Sequence, residues 1–488
     1  MVPAGAPVSH VEPSVSGRQL AALLPDLTGL RPAYRHLSEA ISALVLDGRV
    51  ALHARLPAER ELAAALGVSR PTVTSAYDLL RTHGYARSRQ GSGTWTALPK
   101  ETAPRRVTRA LPAPDTAIDL ARAAPGLPHQ VLDDALAAVA PALARHSRTP
   151  GYDPFGLPEL RATIAERYTR RGLPTRPEQI LVTSGAQHAL TLVLGLLAAP
   201  GDRVMVENPS YPNALDAIRR AHLRTVAVPV SDDGWDVEII ESALRQAVPH
   251  LAFLIPEFHN PTGLLMPGEA RGRVLSAAHR AGTWLVVDET LADLALDVPA
   301  PAPFACRAAP DEASRVITVG SMSKSHWGGL RIGWLRASAQ LVTELAAQRI
   351  ATDLGGSVLD QLLAQVLLDR AAALLPAQLE RLRARRAALA EALTEHFPRW
   401  TWRLPPGGLA LWVDLGEPVA AELAERALAF GVRIEGGGLF AADPGVFGNR
   451  LRIPYTLPAE VLREAVQRMA SAVAAGPAPA RRRTRWIA

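Results

Sequence analysis

The sequence predicts an α/β protein in which a small N-terminal winged helix-turn-helix precedes a large domain with a mainly parallel sheet and a smaller C-terminal α+β part. Three observations support this prediction. Residues 28–97 carry three helical periodicities followed by a hairpin pattern. From residue 118 onward, apolar runs of strand length alternate with long helical stretches, as in a parallel sheet covered by helices. At 488 residues the chain is also too long for a single compact core.

Lysine usage gives the first indication of chemistry. The chain carries 53 basic residues and a net charge of +6, yet only Lys100 and Lys324 are lysines. A guanidinium stays protonated and cannot form a Schiff base, whereas a desolvated amine can. Lys324 follows a predicted apolar strand and lies among small residues, which favours a chemical role over that of an ordinary surface lysine.

Composition also limits the class of protein. The N-terminus shows no basic segment followed by an apolar one, and the longest apolar stretch, residues 189–199, is too short to span a bilayer. We therefore expect a cytoplasmic protein that does not associate with membranes. Cys306 is the only cysteine, so neither an internal disulfide nor a thiolate-rich metal site is expected, and no metal is predicted.

Three segments are predicted to extend or connect the folded domains. Residues 1–27 begin rich in proline, glycine and serine and predict a disordered arm. Residues 98–115 contain four prolines and no periodicity, which indicates a semi-extended linker. Residues 476–488 form a basic tail that we expect to be disordered and to add non-specific affinity for DNA.

The pattern of residues 28–97 is that of a DNA-binding domain. The third predicted helix, residues 68–80, begins at a capping serine and leaves Arg70 and Thr72 facing outward at its start. Short donors and an arginine at this point are typical of a helix that enters a major groove. A hairpin around residues 90–93 follows as a wing. The alternative is a structural helical bundle with a solvated basic face.

The large domain, residues 116–475, places polar residues where its predicted strands end. In a parallel sheet the carboxyl ends of the strands meet at one edge, where ligands bind. Each polar residue alone has a structural alternative, such as a turn or a helix cap, but together they predict one site. These residues are Gly185, Tyr211, Asn260, Asp288 and Lys324.

Two stretches of sequence carry a resemblance to known families. Residues 320–334 read Gly-Ser-Met-Ser-Lys-Ser-His-Trp-Gly-Gly-Leu-Arg-Ile-Gly-Trp, with Arg331 seven residues after Lys324. Here and at the strand ends the chain resembles fold-type I pyridoxal 5'-phosphate (PLP) enzymes of the aspartate aminotransferase group. The spacing from lysine to arginine matches the MocR group of regulators. Helices and short strands from about residue 378 to residue 475 predict the smaller C-terminal part.

The resemblance implies roles for the site residues. Lys324 would form the Schiff base with PLP, and Asp288 would pair with the pyridine nitrogen, so that these two residues carry the chemistry. Tyr152 would reach the phosphate of the neighbouring subunit, which implies a homodimer. Arg452 would grip the carboxylate of an effector or substrate; its alternative is a charge at a sheet edge. The remaining residues expected to hold the cofactor are Gly185, Ala186, Tyr211, Asn260, Ser321 and Arg331.

The N-terminal domain resembles a second family. The phrase Leu-Pro-x-Glu-Arg-x-Leu-Ala at residues 56–63 is followed by Gly-Val-Ser-Arg-x-Thr-Val at residues 67–73 and by a Gly-Ser-Gly wing. This series is similar to the winged helix of GntR-type regulators. The resemblance implies that double-stranded operator DNA is contacted by Arg60, Ser69, Arg70, Thr72 and the wing near Gly91.

Three positions depart from the PLP-enzyme pattern. Enzymes of the group place a tyrosine three residues after the ring-pairing aspartate, and many MocR regulators place it two after, where this chain has Leu291 and Thr290. Asn213 stands where a GABA-sensing member of the group has an arginine for its effector. These departures argue against full transamination and against a GABA-like effector.

The sequence therefore predicts a cytoplasmic, dimeric, PLP-dependent transcriptional regulator of the MocR type. Its aminotransferase-like domain would sense PLP, a small amine or amino-acid effector, or both. The alternative is an active aminotransferase that carries an accessory DNA-binding domain.

Overall fold

A computed structural model describes residues 14–25, 30–89, 93–99, 117–443 and 445–476. The predicted wing residue Gly91, most of the predicted linker and nearly all of the predicted basic tail lie outside these ranges. Among the helices in the described ranges, none combines the length and the apolar character needed to cross a membrane.

The N-terminal domain packs its helices around one small core. Its described elements are α1 (Gly17–Leu23), α2 (Ala33–Leu46), α3 (Glu59–Leu66), α4 (Arg70–Thr82), β1 (Ala86–Arg89) and β2 (Gly93–Thr96). Leu37, Leu62 and Tyr77 bring the apolar faces of three helices together in this core. Ser69 caps α4 by accepting a hydrogen bond from the Thr72 N–H at 3.3 Å. The predicted winged helix-turn-helix fold is confirmed.

Part of the predicted disordered arm is in fact folded. Within residues 14–25, α1 begins with a capping box formed by Ser16 and Gln19, and Leu20 is fully buried in the domain core. The Gly17 N–H also donates to the Glu61 carboxylate of α3 at 2.6 Å. The prediction was wrong here because these stabilising contacts are tertiary. Residues 1–13, 26 and 27 lie outside the described ranges.

The remainder of the chain begins with β3 (Ile118–Asp119) and then builds a large α/β lobe. The strands of this lobe are β4 (Ile180–Thr183), β5 (Arg203–Asn208), β6 (Arg224–Ser231), β7 (Gly234–Trp235), β8 (Leu251–Leu254), β9 (Trp284–Asp288), β10 (Val316–Ser321) and β11 (Gly333–Arg336). Its helices are α5 (His129–His146), α6 (Pro158–Arg170), α7 (Ala186–Leu197), α8 (Pro212–Arg220), α9 (Val237–Ala247), α10 (Gly268–Ala281), α11 (Ala339–Arg349) and α12 (Val358–Asp369). Short 3-10 turns lie at Pro177–Gln179, Phe304–Arg307, Glu312–Arg315 and Gly328–Leu330.

These eight strands form one sheet in the order β4, β11, β10, β9, β8, β5, β6, β7. Neighbouring strands are parallel except for β11, which runs antiparallel to β10 and β4, and β7, which runs antiparallel to β6. Separate apolar clusters cover the sheet, as expected when both faces are packed with helices. The predicted mainly parallel sheet is confirmed, and its strand ends define one edge of the lobe.

The small lobe follows the long helix α13 (Ala371–His396). It contains β12 (Thr401–Trp402), β13 (Ala410–Asp414), α14 (Ala420–Ala429), β14 (Val432–Arg433), β15 (Glu435–Gly436), a 3-10 turn at Gly437–Phe440, β16 (Arg450–Pro454) and α15 (Ala459–Ala474). Strands β12, β13, β16 and β15 pair in that order. The prediction assigned only residues from about 378 to this lobe, but β3 pairs with β14, so the lobe also includes the start of the domain.

Candidate functional site

A cavity of about 230 Å³ lies where the predicted strand ends converge. Its wall combines residues that follow β4, β5, β8, β9 and β10 with a short segment after β3 and the start of β13. Of the predicted cofactor and catalytic residues, the following line it: Gly185, Ala186, Tyr211, Asn260, Asp288, Lys324 and Arg331. The structure thus brings together residues that are up to 146 positions apart in sequence, counting from Gly185 to Arg331.

Lys324 is partly buried, and its surroundings lower the pKa of its amine. Its Nζ donates a hydrogen bond to the carbonyl of Ala123 at 2.8 Å. Burial lowers the pKa of Lys324 to about 8, the charge of Arg452 acts in the same direction, and Asp288 opposes both. A lysine with this pKa has a substantial neutral, nucleophilic fraction near neutral pH.

This pKa leads to a prediction for the pH dependence of PLP uptake. Below about pH 8 the Lys324 amine is protonated, so the rate of covalent PLP uptake should fall about tenfold per pH unit and should level off above that pH. Rapid-mixing absorbance measurements on the apoprotein would report this rate. Arg452→Ala should raise the midpoint, because it removes a positive charge that disfavours the ammonium form. A rate that is independent of pH between about 6 and 9 would contradict the assignment.

Asp288 ends β9 and lines the cavity together with Lys324. The side chain is buried, and burial raises its pKa, while hydrogen bonds from Thr290 and the charge of Lys324 oppose that shift. The Thr290 N–H donates to Asp288 Oδ1 at 2.9 Å, which fixes the orientation of the carboxylate. A buried carboxylate of this kind is suited to pair with a ring nitrogen that carries a proton.

One end of the cavity provides donors for an anion. Gly185 adopts a φ of 87° at the start of α7, and a Cβ atom there would lie 2.8 Å from the Arg331 guanidinium. The positive φ favours glycine at this position, and glycine leaves room for this cation, which also donates to the Ser184 carbonyl at 2.9 Å. The helix start and the guanidinium together fit a phosphate group. The residues present are thus compatible with PLP.

Two further side chains, those of Tyr211 and Asn260, line the cavity. Tyr211 ends the loop after β5, and its hydroxyl accepts a hydrogen bond from the Asn213 side-chain amide at 2.6 Å. Asn213 thus supports the tyrosine and does not itself line the cavity. Asn260 follows β8 and presents an amide to the same space. An aromatic face and an amide donor are the groups expected to contact a hydroxypyridine ring.

Three of the predicted residues lie outside the cavity wall. Ser321 is buried, and its hydroxyl hydrogen-bonds that of Ser323, which does line the wall, at 3.0 Å. The Arg452 guanidinium donates to the Ala121 carbonyl, so it lies beside the cavity and would have to exchange this contact to hold a ligand. Tyr152 is 73% exposed. Their predicted roles stay predictions.

The segment after β3 was not anticipated as part of the site. Ala123 and Ala124 line the cavity, and the carbonyls of Ala121 and Ala123 accept hydrogen bonds from Arg452 and Lys324. No side-chain pattern marks these alanines, because their contribution is made by backbone atoms. Leu291 also lines the cavity, where the PLP-enzyme pattern would place a tyrosine.

Four of the predicted DNA-contacting residues lie in the described ranges, and all four are at least partly exposed. Arg60, Ser69 and Arg70 are exposed, and Thr72 is partly exposed in the first turn of α4. The Arg70 side chain is 69% exposed and approaches Glu59 at 3.4 Å, a pair too exposed to hold it firmly. Its guanidinium is available for another acceptor.

Both the large domain and the N-terminal domain are similar to known protein families. Residues 116–469 match the family described as aminotransferase class I and II, and residues 33–95 match bacterial regulatory proteins of the gntR family. The chain is 29% identical over 411 residues to the uncharacterized HTH-type transcriptional regulator YisV of Bacillus subtilis, covering 78% of this chain and 84% of that protein. It is 35% identical over 336 residues to the probable rhizopine catabolism regulatory protein MocR of Rhizobium meliloti, covering 64% and 66%.

A solved structure shows the same fold in the large domain. LysN, the α-aminoadipate aminotransferase of Thermus thermophilus, was solved with N-(5'-phosphopyridoxyl)-L-leucine. It matches with a TM-score of 0.68 and 30% identity over 74% of this chain and 93% of its own. The predicted resemblances are confirmed: the chain belongs to the aminotransferase class I and II family and joins that domain to an N-terminal gntR-family domain, as MocR-like regulators do.

Proposed function

We propose that this protein is a PLP-dependent, DNA-binding transcriptional regulator whose aminotransferase-like domain senses PLP, an amine or amino acid, or both. One observation carries the proposal. The one lysine in the described ranges lines the strand-end cavity together with Gly185, Asp288 and Arg331, in a chain that also carries a winged helix with an exposed arginine. We further propose that it acts in the cytoplasm on double-stranded operator DNA.

The residues would divide the work of holding the cofactor. When bound, PLP supplies an aldehyde that condenses with amines and a ring that withdraws electrons. Lys324 would hold the aldehyde carbon, Asp288 would keep the proton on the ring nitrogen, and Asn260 would donate to the ring hydroxyl oxygen. Tyr211 would stack on the ring. The phosphate would be held by Gly185, Ala186, Ser321, Arg331 and Tyr152 from a second subunit, which makes the functional unit a homodimer.

The alternative function is an active aminotransferase with an accessory DNA-binding domain. Lys324 and Asp288 are both in place, and the large domain resembles LysN, which favours this alternative. Against it, Leu291 is an apolar wall residue where a tyrosine is expected, and the Thr290 backbone is committed to Asp288. We propose that proton transfer at a bound amino acid is correspondingly weak, so that the ligand persists as a signal.

We expect small carboxylate-bearing amines to bind without rapid turnover. Such a ligand would exchange with the Lys324 amine, and its carboxylate would draw Arg452 away from Ala121. The ligand can change DNA affinity only if it binds one conformation of the protein more tightly than the other. Such a difference in binding free energy is typically about 1 to 3 kcal/mol. Stopped-flow spectra across an amino-acid panel, together with operator affinity, test this expectation. Fast repeated conversion of the cofactor to its amine form, with operator binding indifferent to every amine and to PLP removal, would favour the enzyme.

A further inference from the structure

The DNA-binding domain rests directly on the small lobe. We call residues 46–53, which end α2 and follow it, the docking turn, and residues 440–443 with 445–450 the shoulder. The Phe447 N–H donates to the Leu46 carbonyl at 2.8 Å. Gly48 adopts a φ of 66°, and a Cβ atom there would lie 2.9 Å from the Phe447 ring. The two surfaces are therefore in close backbone contact.

Polar and apolar contacts complement each other across this surface. Asn449 donates to Asp47 of the docking turn at 3.2 Å and to Asp414 of β13 at 3.0 Å. Burial raises the pKa of Asp47, whereas the nearby Arg450 and Asn449 oppose the shift. Arg450 in turn pairs with Asp232 of the large lobe at 2.9 Å. Charged side chains of the DNA-binding domain (Asp47), the small lobe (Arg450) and the large lobe (Asp232) therefore lie close together.

An apolar cluster lies beside these charges. Leu52 of the docking turn packs against a small cluster that includes Trp412, Phe440 and Phe447. The Trp412 ring contacts Phe440 edge-on at 5.6 Å between centroids and Phe447 at 6.0 Å. Rings packed in this way move together, because interiors do not leave space for one to shift alone.

Other residues of the shoulder contact the loop that leads to Tyr211 in the ligand site. The Phe440 carbonyl accepts from the Ser210 N–H at 2.8 Å, next to Tyr211, and the Ala442 N–H donates to Asn208 at 3.0 Å. The Arg452 guanidinium lies 5.1 Å above the centroid of the Phe440 ring. The shoulder therefore contacts three parts of the protein. These are the loop that carries Tyr211, the Arg452 side chain, and the docking turn of the DNA-binding domain.

We infer that the shoulder communicates the state of the ligand site to the DNA-binding domain by direct contact. This inference rests on the proposed function and specifies how its regulation is achieved. A ligand that engages Tyr211, as PLP would, or that draws Arg452 from Ala121, as a carboxylate would, changes the support of Phe440. The Phe440, Trp412 and Phe447 rings then repack against Leu52, and the docking turn gains contacts. The ligand site and the DNA-binding domain can influence each other because both contact the shoulder, which is a single packed element.

The test uses the full-length protein with PLP as the probe. Hydrogen exchange of the amides in residues 46–53 is measured before and after PLP loading, together with affinity for the DNA sequence that the wild type selects from genomic fragments. PLP loading should slow exchange in the docking turn and change DNA affinity at least about fivefold, the lower end of typical coupling. Asp47→Asn and Phe447→Ala should bind PLP and DNA but lose most of this response.

The control and the outcomes separate the two proposals. Glu39→Gln changes an exposed acid on α2 that lies outside the docking turn, and it should respond like the wild type. Asp47→Asn is nearly isosteric, so it keeps the test valid if Phe447→Ala does not fold. Intact PLP uptake and DNA binding with unchanged exchange in residues 46–53, or variants with a full response, would overturn this inference alone. Failure of the wild type to take up PLP or to bind DNA would remove the proposed function as well.

Discussion

Replacement of Lys324 by alanine is expected to abolish covalent uptake of PLP. The wild-type protein should be yellow when loaded, and this absorption band should be absent in Lys324→Ala, because no other amine in the described ranges reaches the cavity. Borohydride reduction followed by peptide mapping should place the label on Lys324. The effect should be close to all-or-none, since a missing nucleophile cannot be replaced by a guanidinium.

The second lysine of the chain provides the matched control. Lys100→Arg removes only the other side-chain amine, and it should leave the absorption band, the labelled peptide and the affinity for PLP unchanged. Lys324→Ala should retain a cooperative thermal transition, which shows that the loss is chemical. A label on Lys100 in the wild type, or an unchanged band in Lys324→Ala, would refute the assignment of the site.

Arg70→Ala is expected to weaken specific operator binding by about 1 to 3 kcal/mol, which is about 5-fold to 150-fold. The Arg70 side chain is largely exposed at the first turn of α4, where it can reach a base edge or a phosphate. Competition binding with operator and unrelated DNA measures the loss of preference. Affinity should also fall steeply with salt in the wild type, because phosphate contacts release counterions.

A different exposed arginine distinguishes recognition from general charge. Arg35→Ala removes the same charge from α2, away from the start of α4, and should leave sequence preference intact. The absorption of bound PLP should be the same in both variants. Unchanged operator affinity in Arg70→Ala, or an equal loss in Arg35→Ala, would show that α4 does not enter the groove in this way.

The parts of the fold that follow from local pattern could be predicted from the sequence. Helical periodicity and the Ser69 cap located α4, and apolar runs located five of the eight strands of the large sheet, namely β4, β5, β8, β9 and β10. Because parallel strands end on a common edge, their terminal polar residues could be grouped without knowing the strand order. This reasoning brought Asp288 and Lys324 together, and both line the cavity.

The remaining features depend on contacts that leave no local pattern. Helix α1 carries a local capping box at Ser16 and Gln19, but a helix of seven residues also depends on burial of Leu20 and on Glu61 of another helix, contacts that the sequence does not indicate. The carbonyls of Ala121 and Ala123 reach Arg452 and Lys324 across more than 200 residues through backbone atoms alone. Backbone acceptors are present at every position, so sequence cannot mark the ones that matter.

Strand β16 limits how this protein can be re-engineered. Arg450 and Arg452 are two residues apart, so their side chains leave the same face of the strand; Arg450 pairs with Asp232 of the large lobe, and Arg452 donates to the Ala121 carbonyl beside the ligand site. A single-residue insertion or deletion between them would put the two side chains on opposite faces of the strand. Biosensor designs that exchange the DNA-binding domain should therefore transplant the shoulder with it, whereas designs that alter ligand choice should vary the cavity wall and keep β16 in register.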